Sequence, residues 1–517
     1  MEPSIPGPAE GLRAARNDSG SIVLARLGAW TPRARVSVVV PAFGGQDKLD
    51  LTLAALAAQT YPASLLEVVV VDDGSEPPLR LPDLRPADTR LIPNTAGTWG
   101  IAAAVATGIG ASTGEVVVRL DSDVVPAAAH IEAHARWHHL ADYFTVVGKL
   151  AFADIATAAL SPERVRSAVA GGDAASLFAG CEVSDDWEIA LVRESGGTVE
   201  DPVRAFTVAN GATISFTRAM YEACGGMDTG MRLGSDTELG YRLAQHGALF
   251  IADGEAEVWH LGYSQMKSRR EEGKRYRRPF AANRIPSLRH LRTDPGRSWE
   301  VPYVRAVVDA DGARLEPVRA TVNALLAGTI ADIEVVLTGP WDSLTTGRVA
   351  PLEDPLLNLR LIREAFRGDG RVRFLEKAPE TVAPVPFQLF LDPGAELRRD
   401  GLERLVAHAD EHRLGRVDTA VPAKAGPLRV RLDRTAALAR AERLRSPGED
   451  PDALLDALWG VERTGPDAWF LTAASKSESR RREIAELKAA LARLEDPGPA
   501  RRSLPRRALG RLRRVIR

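Results

Sequence analysis

A short apolar strand that ends in two carboxylates constrains the fold of this sequence more than any other feature. Val116 to Leu120 is typical of a strand buried on both faces, and Asp121 and Asp123 follow it directly. Alternation along an extended chain places both acids on one side. Because neighbouring carboxylates repel unless a cation lies between them, the pattern indicates a divalent-metal site at the end of a parallel sheet. For an isolated acid pair, a turn without a ligand is the simpler alternative.

The preceding residues predict the sheet to which this strand belongs. Apolar strands run over Val36 to Phe43 and from Leu66 into Asp72 and Asp73, and RLIP, which ends at Pro93, forms a short third one. Helical patterns separate them at 49–59 and 101–111. This alternation predicts an α/β fold with a parallel, doubly wound sheet, in which two strands end in acid pairs at the same edge.

Length and composition limit the class of protein. The 517 residues suffice for two or three domains, and 67 basic against 69 acidic residues imply no global electrostatic partner. Two cysteines are too few for a disulfide framework, so a reducing cytoplasm is expected. No apolar run is long enough to span a bilayer. Residues 1–34 lack the apolar core of a signal peptide and are interpreted as a loose leader.

Four blocks together resemble the opening of the family-2 glycosyltransferases of GT-A fold. These are VSVVVPAF, LEVVVVDDGS, the asparagine Asn94 and GEVVVRLDSD, in the order and spacing of that family. The resemblance implies a GT-A domain over residues 35–295. It also implies that Pro41, Ala42 and Asn94 belong to the nucleotide site, where Asp73 would hydrogen-bond the nucleobase.

The same resemblance assigns the two acids after the central strand. Asp121 would lie near the ribose and the metal, and Asp123 would bind the metal directly. The chain departs from the pattern in the helix after Asn94, where many relatives carry an arginine and this sequence has Ala102, Ala103 and Ala104.

A later block, residues 209–247, resembles the passage that carries the family's catalytic acid. In GSDTELGYRLAQHG, Asp236 stands at a predicted helix N-terminus, where a carboxylate also serves as a cap. Relatives usually have Glu-Asp here, whereas this chain has Ser235-Asp236, so Asp236 is the expected catalytic base. Glu238 is the second catalytic candidate; it would hold the acceptor or pair with Arg242 four residues later.

Downstream of this block lie a further metal-ligand candidate and a basic segment. A short strand ends in VWH at His260, which would complete a Mn²⁺ or Mg²⁺ site, as in GT-A enzymes resembling the polypeptide and chondroitin-type transferases, unless it is a core histidine. The segment from Lys267 to Arg278 is either a solvated helix or a lid whose arginines clamp the diphosphate.

Two other groups have a functional and a plain interpretation. His130, His134 and His138 recur every four residues; a solvated helix face is favoured over a metal site, because Glu132 and Arg136 share the helix. The cluster at 185–187, DDW, either recognises the acceptor through its aromatic ring or packs at a domain seam.

Residues 296–474 repeat the opening pattern and predict a second, smaller α/β domain. In this copy Asp72-Asp73 is matched to Thr338-Gly339, and the D-S-D sequence to Asp392-Pro393-Gly394. One carboxylate remains where two are needed. We expect a degenerate GT-A-like domain kept for packing, dimerisation or acceptor binding; an unrelated α/β domain is the alternative.

The last region, residues 475–517, predicts a short coiled coil followed by a basic amphipathic tail. Ile484, Leu487, Leu491 and Leu494 have heptad spacing, and the final seventeen residues hold eight arginines and no acid. Such a tail suits an anionic membrane surface better than a nucleic acid, since no aromatic platform accompanies it. A disordered tail is the alternative.

Together these features predict an inverting, metal-dependent glycosyltransferase. It would move a sugar from a nucleotide-diphosphate donor, more often UDP-linked, to a hydroxyl of a cell-envelope glycan, a lipid-linked precursor or a metabolite. Its expected location is the cytoplasm, peripheral to the inner face of the plasma membrane, without nucleic acid as a partner. A nucleotidyltransferase acting on a sugar phosphate and a non-catalytic glycan-binding scaffold are the rival interpretations.

Overall fold

The computed structural model describes residues 12–20, 22–185, 204–263, 268–294, 297–345, 347, 350–380, 382–465, 469–471, 485 and 488. Two mixed sheets, one in each half of the chain, organise these residues. The strands of the first half are β1 (Val36–Ala42), β2 (Leu66–Asp72), β3 (Thr89–Pro93), β4 (Val116–Leu120), β5 (Val124–Pro126), β6 (Phe144–Ala153), β7 (Val183–Asp185), β8 (Thr213–Thr217) and β9 (Leu249–Leu261). Its α-helices are α1 (Gln46–Leu56), α2 (Ile101–Ala111), α3 (His130–His138), α4 (Pro162–Ala170), α5 (Arg218–Ala223), α6 (Ser235–Gln245) and α7 (Arg270–Arg284).

The second half has a smaller set of elements. Its strands are β10 (Val304–Asp309), β11 (Ile333–Thr338), β12 (Val372–Leu375), β13 (Phe387–Leu391), β14 (Arg416–Val421), β15 (Leu428–Arg434) and β16 (Val461–Thr464). Its α-helices are α8 (Leu315–Leu326), α9 (Leu357–Phe366), α10 (Gly401–Glu411), α11 (Thr435–Leu444) and α12 (Pro451–Trp459).

The first sheet has the strand order β3-β2-β1-β4-β8-β6-β9-β5, with β7 paired to β6. The strands β1 to β4 are parallel, β8 is antiparallel to both of its neighbours, and β9 runs parallel to β6. Helices cover both faces, which explains why β1 is apolar throughout: Val38 and Val40 pack with α1, and Val39 packs with α2. The predicted doubly wound α/β sheet is confirmed.

The second sheet repeats this order. Its strands run β12-β11-β10-β13-β15-β14-β16, and each pair has the same parallel or antiparallel sense as its counterpart among the first seven strands of the first sheet. The predicted second, smaller α/β unit is therefore present, and its topology is that of the first.

The ladders also show which residues correspond between the two sheets. Val36 pairs with Val116 as Val304 pairs with Phe387, so Asp392 follows β13 as Asp121 follows β4. In both sheets the backbone N–H of this aspartate donates to the neighbouring antiparallel strand, at 3.4 Å for Asp121 and 3.0 Å for Asp392.

The predicted match at the tip of β2 is wrong by one residue. Val36 pairs with Leu66, and Val304 pairs with Ile333, so Gly339 and Pro340 stand where Asp72 and Asp73 stand, rather than Thr338 and Gly339. The correct register is marked in the sequence by Glu67 and Glu334, which are the second residues of β2 and β11. The conclusion that this tip carries no carboxylate is unchanged.

Helices of the second half pack into the core of the first. Ala437 and Leu444 of α11 and Trp459 of α12 share a hydrophobic cluster with Tyr143 and Leu243. Arg440 joins the two halves through hydrogen bonds: its guanidinium donates to the carbonyls of Gly247 at 2.6 Å and Ala248 at 2.7 Å, directly after α6, and to that of Arg16. Burial lowers the pKa of Arg440 to about 10.

The interpretation of residues 1–34 as a loose leader is wrong for the residues of that segment that the structure describes. Asn17 is buried and exchanges two hydrogen bonds with the backbone of Phe250, and Arg13 forms a bidentate ion pair with Glu449. Leu12 and Ala14 bond the hydroxyl of Tyr143. The segment thus contacts both halves of the chain, and its composition does not reveal this because its partners lie far away in the sequence.

The three histidines of α3 are buried rather than solvated, so the favoured interpretation of this helix face is wrong. His134 bonds the hydroxyls of Ser215 at 2.9 Å and Thr213 at 3.0 Å, and His138 bonds Ser215 at 2.8 Å. Burial lowers the pKa of His130 to about 4, that of His138 to about 3 and that of His134 well below its usual value. The rings are therefore neutral hydrogen-bonding groups of the core.

The predicted coiled coil and basic tail lie outside the described residues, apart from residues 485 and 488. None of the helices in the described part of the chain is both long and apolar enough to cross a membrane.

We expect Arg440→Ala to destabilise the protein by about 3 kcal/mol, because it leaves buried carbonyls after α6 without donors. Arg445→Ala at the exposed end of the same helix is the control and should change the unfolding free energy little. Urea unfolding measures both. An equal, small effect of the two substitutions would mean that the Arg440 bonds do not hold the halves together.

Stability should fall as the pH drops from 7 towards 4. The unfolded histidines bind protons near pH 6.5 while the folded ones do not, so the unfolded state gains protons first and stability is complete only above about pH 6.5. His138→Gln should reduce the slope by up to about 1.4 kcal/mol per pH unit, and His290→Gln on the exposed surface should not. Equilibrium unfolding at several pH values decides this; identical slopes in all three proteins would contradict it.

Candidate active site

The pairing of β5 with β9 brings a histidine to the two acids that follow β4. Val124 lies opposite His260, and the backbone N–H of Leu261 donates to the carbonyl of Asp123 at 2.8 Å. Asp121, Asp123 and His260 each offer one ligand atom, and these atoms lie within 4.8 Å of one another. Two carboxylates and one imidazole at this spacing fit a single Mn²⁺ or Mg²⁺ ion with bonds of about 2.0–2.2 Å.

The orientation of His260 suits a metal ligand. Its Nδ1 lies 2.8 Å from the carbonyl oxygen of Gly262, which only accepts, so Nδ1 carries the proton. Nε2, the other ring nitrogen, faces Asp123 and lies 3.3 Å from that carboxylate. A backbone carbonyl that fixes the tautomer in this way is the usual support of a metal-bound histidine.

Lys48 of α1 supplies a fixed positive charge beside the same carboxylate. Its ammonium lies 3.3 Å from Asp123 Oδ2 and donates to the carbonyl of Leu261 at 2.7 Å. Burial raises the pKa of Asp123, the charge of Asp121 raises it further, and His260 and Lys48 oppose the rise. The carboxylates of Asp121 and Asp123 therefore repel each other, and a divalent cation between them would relieve this repulsion.

Asp236 and Asp121 both lie near the buried side chain of Arg119. Arg119 of β4 donates from Nη2 to Asp121 Oδ1 at 2.8 Å, and its Nη1 and the Oδ2 atom of Asp236 both lie next to Gly211. Burial raises the pKa of Asp236; Arg119 lowers it, Asp121 raises it, and a hydrogen bond from the Gly211 backbone lowers it. The structure thus brings Asp236 near Asp121, although the two stand more than a hundred residues apart in the sequence.

Asp236 is not the N-cap residue of α6, which was the alternative to its role as the catalytic base. The N-cap position of α6 is Gly234, which has a left-handed backbone and no side chain. Asp236 is the second helical residue and still lies in the positive end of the helix field.

The structure gives Glu238 the pairing role rather than contact with the acid cluster. It is buried and forms a bidentate ion pair with Arg242, at 2.6 Å and 2.7 Å, and Arg242 also donates to the Cys224 carbonyl at 2.6 Å. The predicted pairing across four residues is confirmed. Both oxygens of Glu238 are used by Arg242, so we do not assign it proton transfer.

The predicted nucleotide residues meet at the carboxyl edge of β1 and β2. The Ala42 carbonyl, next to Pro41, accepts from the Asp73 N–H at 2.9 Å. Asp73 is buried; its carboxylate accepts from Asn94 Nδ2 at 2.6 Å and from the N–H of Gly100, at the start of α2, at 2.9 Å. Asp73 therefore fixes the loop between β3 and α2, and its remaining lone pairs are what a ligand would meet.

Several residues of this region were missed in the sequence. Arg119 and Lys48 are the two cations of the acid cluster; an arginine within the apolar run VVVRL was the available signal for the first, and nothing marked the second. Phe43 and Trp99 are exposed aromatic rings that meet edge to face, 5.4 Å apart, beside Ala42 and Gly100. Exposed rings beside a polar cleft are available for stacking.

The basic segment after β9 is helical in its described part, as α7, and residues 264–267 lie outside the description. One arginine of α7 approaches the predicted base: a Cβ on Gly234 would fall 2.4 Å from Arg277 Cδ. Arg277 therefore packs against the loop that leads into Asp236. Of the acceptor candidates at 185–187, only the backbone of Asp185 is described, as the end of β7.

The family comparison agrees with this geometry. Residues 37–164 match the model of the glycosyl transferase family 2, which confirms the resemblance over this segment. The segment contains β1 to β6 together with the two acids after β4; Asp236 and His260 lie beyond it. No curated protein matches the sequence.

Solved structures with detectable similarity are also glycosyltransferases. They include the mannosyltransferase PcManGT from Pyrobaculum calidifontis in complex with GDP-Man and Mn²⁺ (20% identity, TM-score 0.31, 50% of this chain and 70% of that one). They also include TarS from S. aureus (15%, 0.32, 50% and 41%) and GalNAc-T7 with UDP, GalNAc and Mn²⁺ (16%, 0.31, 49% and 52%). The alignments span about half of the latter two chains, and TM-scores this low do not by themselves establish a shared fold.

We expect Gly211→Ala to inactivate the protein while leaving it folded. The new methyl group would lie 2.3 Å from Arg119 Nη1 and 2.4 Å from Asp236 Oδ2, so both side chains would have to move. Gly110→Ala, where a Cβ meets nothing within 4 Å, is the matched control. Circular dichroism tests folding, and nucleotide-sugar turnover tests activity; equal turnover of the two variants would show that the Arg119–Asp236 arrangement is not needed.

Proposed function

We propose that the protein is an inverting glycosyltransferase that uses a divalent cation, Mn²⁺ or Mg²⁺, to move a sugar from a nucleoside-diphosphate donor to a hydroxyl acceptor. The observation that carries the proposal is the meeting of Asp121, Asp123 and His260 with Asp236 around the buried Arg119. A UDP-linked donor is our preferred choice, as the resemblance of the opening blocks implies.

In this proposal Asp121, Asp123 and His260 hold the cation, which would neutralise the charge that develops on the departing diphosphate. Three carboxylates, those of Asp121, Asp123 and Asp236, face two cationic side chains, Arg119 and Lys48. These five side chains therefore carry a net negative charge, and a bound divalent cation would make the net charge of the site positive. This excess of positive charge is what a diphosphate requires, and it supports binding of cation and donor together.

Asp236 acts as the base. It accepts the proton of the acceptor hydroxyl as the oxygen attacks the anomeric carbon from the face opposite the leaving group, so that one displacement inverts the configuration. Its raised pKa makes the carboxylate a stronger base than a solvated aspartate, and transfer declines as the pH falls through that pKa, because the protonated form cannot accept the proton. Arg119 holds the two acids apart and orients Asp236.

The donor's nucleotide occupies the edge formed by Pro41, Ala42 and Asp73, with Phe43 and Trp99 available to the base. Arg277 of α7, which packs against Gly234, would supply the arginine clamp on the diphosphate, since positions 102–104 carry alanines. In this role α7 closes over the donor as the predicted lid.

The second half is a degenerate GT-A-like domain in this proposal, with boundaries at 35–295 and 296–474. The ladder places Asp392 at the position of Asp121 and Gly394 at that of Asp123, so the second carboxylate is missing. The acceptor would be a cell-envelope glycan or a lipid-linked precursor, and the basic tail would keep the enzyme at an anionic membrane surface.

The test compares two substitutions within the site. Asp123→Ala should abolish the thermal stabilisation by Mn²⁺, and Asp236→Asn should lower kcat about 10²- to 10⁴-fold while donor binding persists, because only proton transfer is lost. Both are measured by thermal shift and by release of UDP or GDP from a panel of nucleotide sugars.

Asp83→Asn on the exposed surface is the control and should behave as the unaltered protein. If the unaltered protein shows no response to Mn²⁺ or Mg²⁺, the cation site is refuted. If Asp236→Asn loses donor binding together with turnover, Asp236 is a structural residue and another base must be found.

A further inference from the structure

The second sheet has a large cleft at the edge that corresponds to the candidate active site of the first. It has a volume of about 860 Å³, within the range of small-molecule sites, and lies at the carboxyl ends of β10, β11 and β13 and along β14 and β15. Since the two sheets share their topology, this is the place where a parallel α/β sheet binds ligands.

The cleft is not built for a cation and a diphosphate. Gly394 stands at the position of Asp123, and the remaining acid, Asp392, accepts the backbone N–H of Arg429 at 2.8 Å. Phe390 stands at the position of Arg119, the arginine that holds the acids of the first site. The cleft therefore lacks the acid pair and the arginine of the first site.

Hydrogen-bond donors and acceptors alternate along the lining. The side chains that can donate are Thr338, Lys377, Thr419, Arg429, Arg431 and Arg463, and those with carboxylates are Asp309, Asp311, Glu376, Asp392 and Asp418. Opposite charges are nearly balanced, which favours neither a polyanion nor a cation. A sugar hydroxyl both donates and accepts, so it can bond both kinds of group at once.

Part of the floor is apolar and suits the C–H face of a sugar ring. Val307, Phe390 and Val430 line it, and the guanidinium of Arg431 lies over the Phe390 ring at 4.4 Å. Such mixed apolar and polar walls position a ligand by shape while a few polar groups fix its orientation.

Some polar groups of the lining still lack partners. The Thr419 hydroxyl is buried and has no hydrogen-bond partner among the described residues. Lys377 and Arg463 are exposed, and neither forms an ion pair within the described part of the chain. A buried hydroxyl without a partner is costly, and a ligand that reached it would recover that cost.

We propose that this cleft binds a neutral carbohydrate without metal or nucleotide. The binding itself does not require transferase activity; if the proposed function holds, the ligand is the acceptor glycan, which the second domain would present or retain.

The experiment uses the full chain in EDTA, without donor, on an array of neutral oligosaccharides, and measures the affinity of the best-retained oligosaccharide by calorimetry. We expect binding that weakens about tenfold or more in Arg463→Ala and in Asp418→Ala, since each removes side-chain hydrogen bonds to hydroxyls. Arg367→Ala, an exposed arginine outside the cleft, and Asp123→Ala in the first site should bind as the unaltered protein does.

Three outcomes would overturn the proposal. They are no retention of any neutral oligosaccharide, affinity that is lost in Asp123→Ala but kept in Arg463→Ala, and displacement of the oligosaccharide by UDP or GDP. Asp418→Asn guards against misfolding, because it keeps the shape and one acceptor oxygen and should retain more affinity than Asp418→Ala. Failure of sugar transfer with intact oligosaccharide binding would reject the proposed function and leave this inference standing.

Discussion

The contact on which the candidate site depends is that between the buried guanidinium of Arg119 and the acids around it. Asp121 accepts from it at 2.8 Å, and Asp236 lies against the same group across Gly211. Three partly buried carboxylates would otherwise repel one another, and burial already raises the pKa of two of them, Asp123 and Asp236. In the proposed function, the positive charge of Arg119 stabilises both acids, so that Asp121 can bind the metal while Asp236 contacts the acceptor.

Much of the fold could be predicted from the sequence, because its first half is built from strands apolar enough to be buried on both faces. The helices between them and the repeat in the second half follow from the same pattern, and the family match over residues 37–164 agrees with it. The predicted match at the tip of β11 is one residue off, although Glu67 and Glu334 at the second position of β2 and β11 mark the correct register.

The errors at the level of side chains have a common cause. His130, His134 and His138 share a helix with charged residues, so the pattern indicates a solvent-exposed face. In the structure the rings of His134 and His138 are buried and form hydrogen bonds with a hydroxyl on β8. Local sequence pattern likewise does not predict the roles of Lys48 and Arg119, because these roles depend on the carboxylates that the two side chains contact in the folded protein. The acid pair after the strand and the resemblance predict Asp123 as a ligand, the resemblance adds His260, and the pairing of β5 with β9 shows that the two adjoin.

The guanidinium of Arg440 holds the carbonyls at the end of the helix that begins with Ser235 and Asp236. During synthesis the ribosome must therefore add some two hundred further residues before that helix receives its final contacts. Until α11 and α12 have been synthesised, the apolar surface of the first half that they cover stays exposed to solvent. The helix that carries Asp236 is thus fully packed only after the helices of the second half have been made.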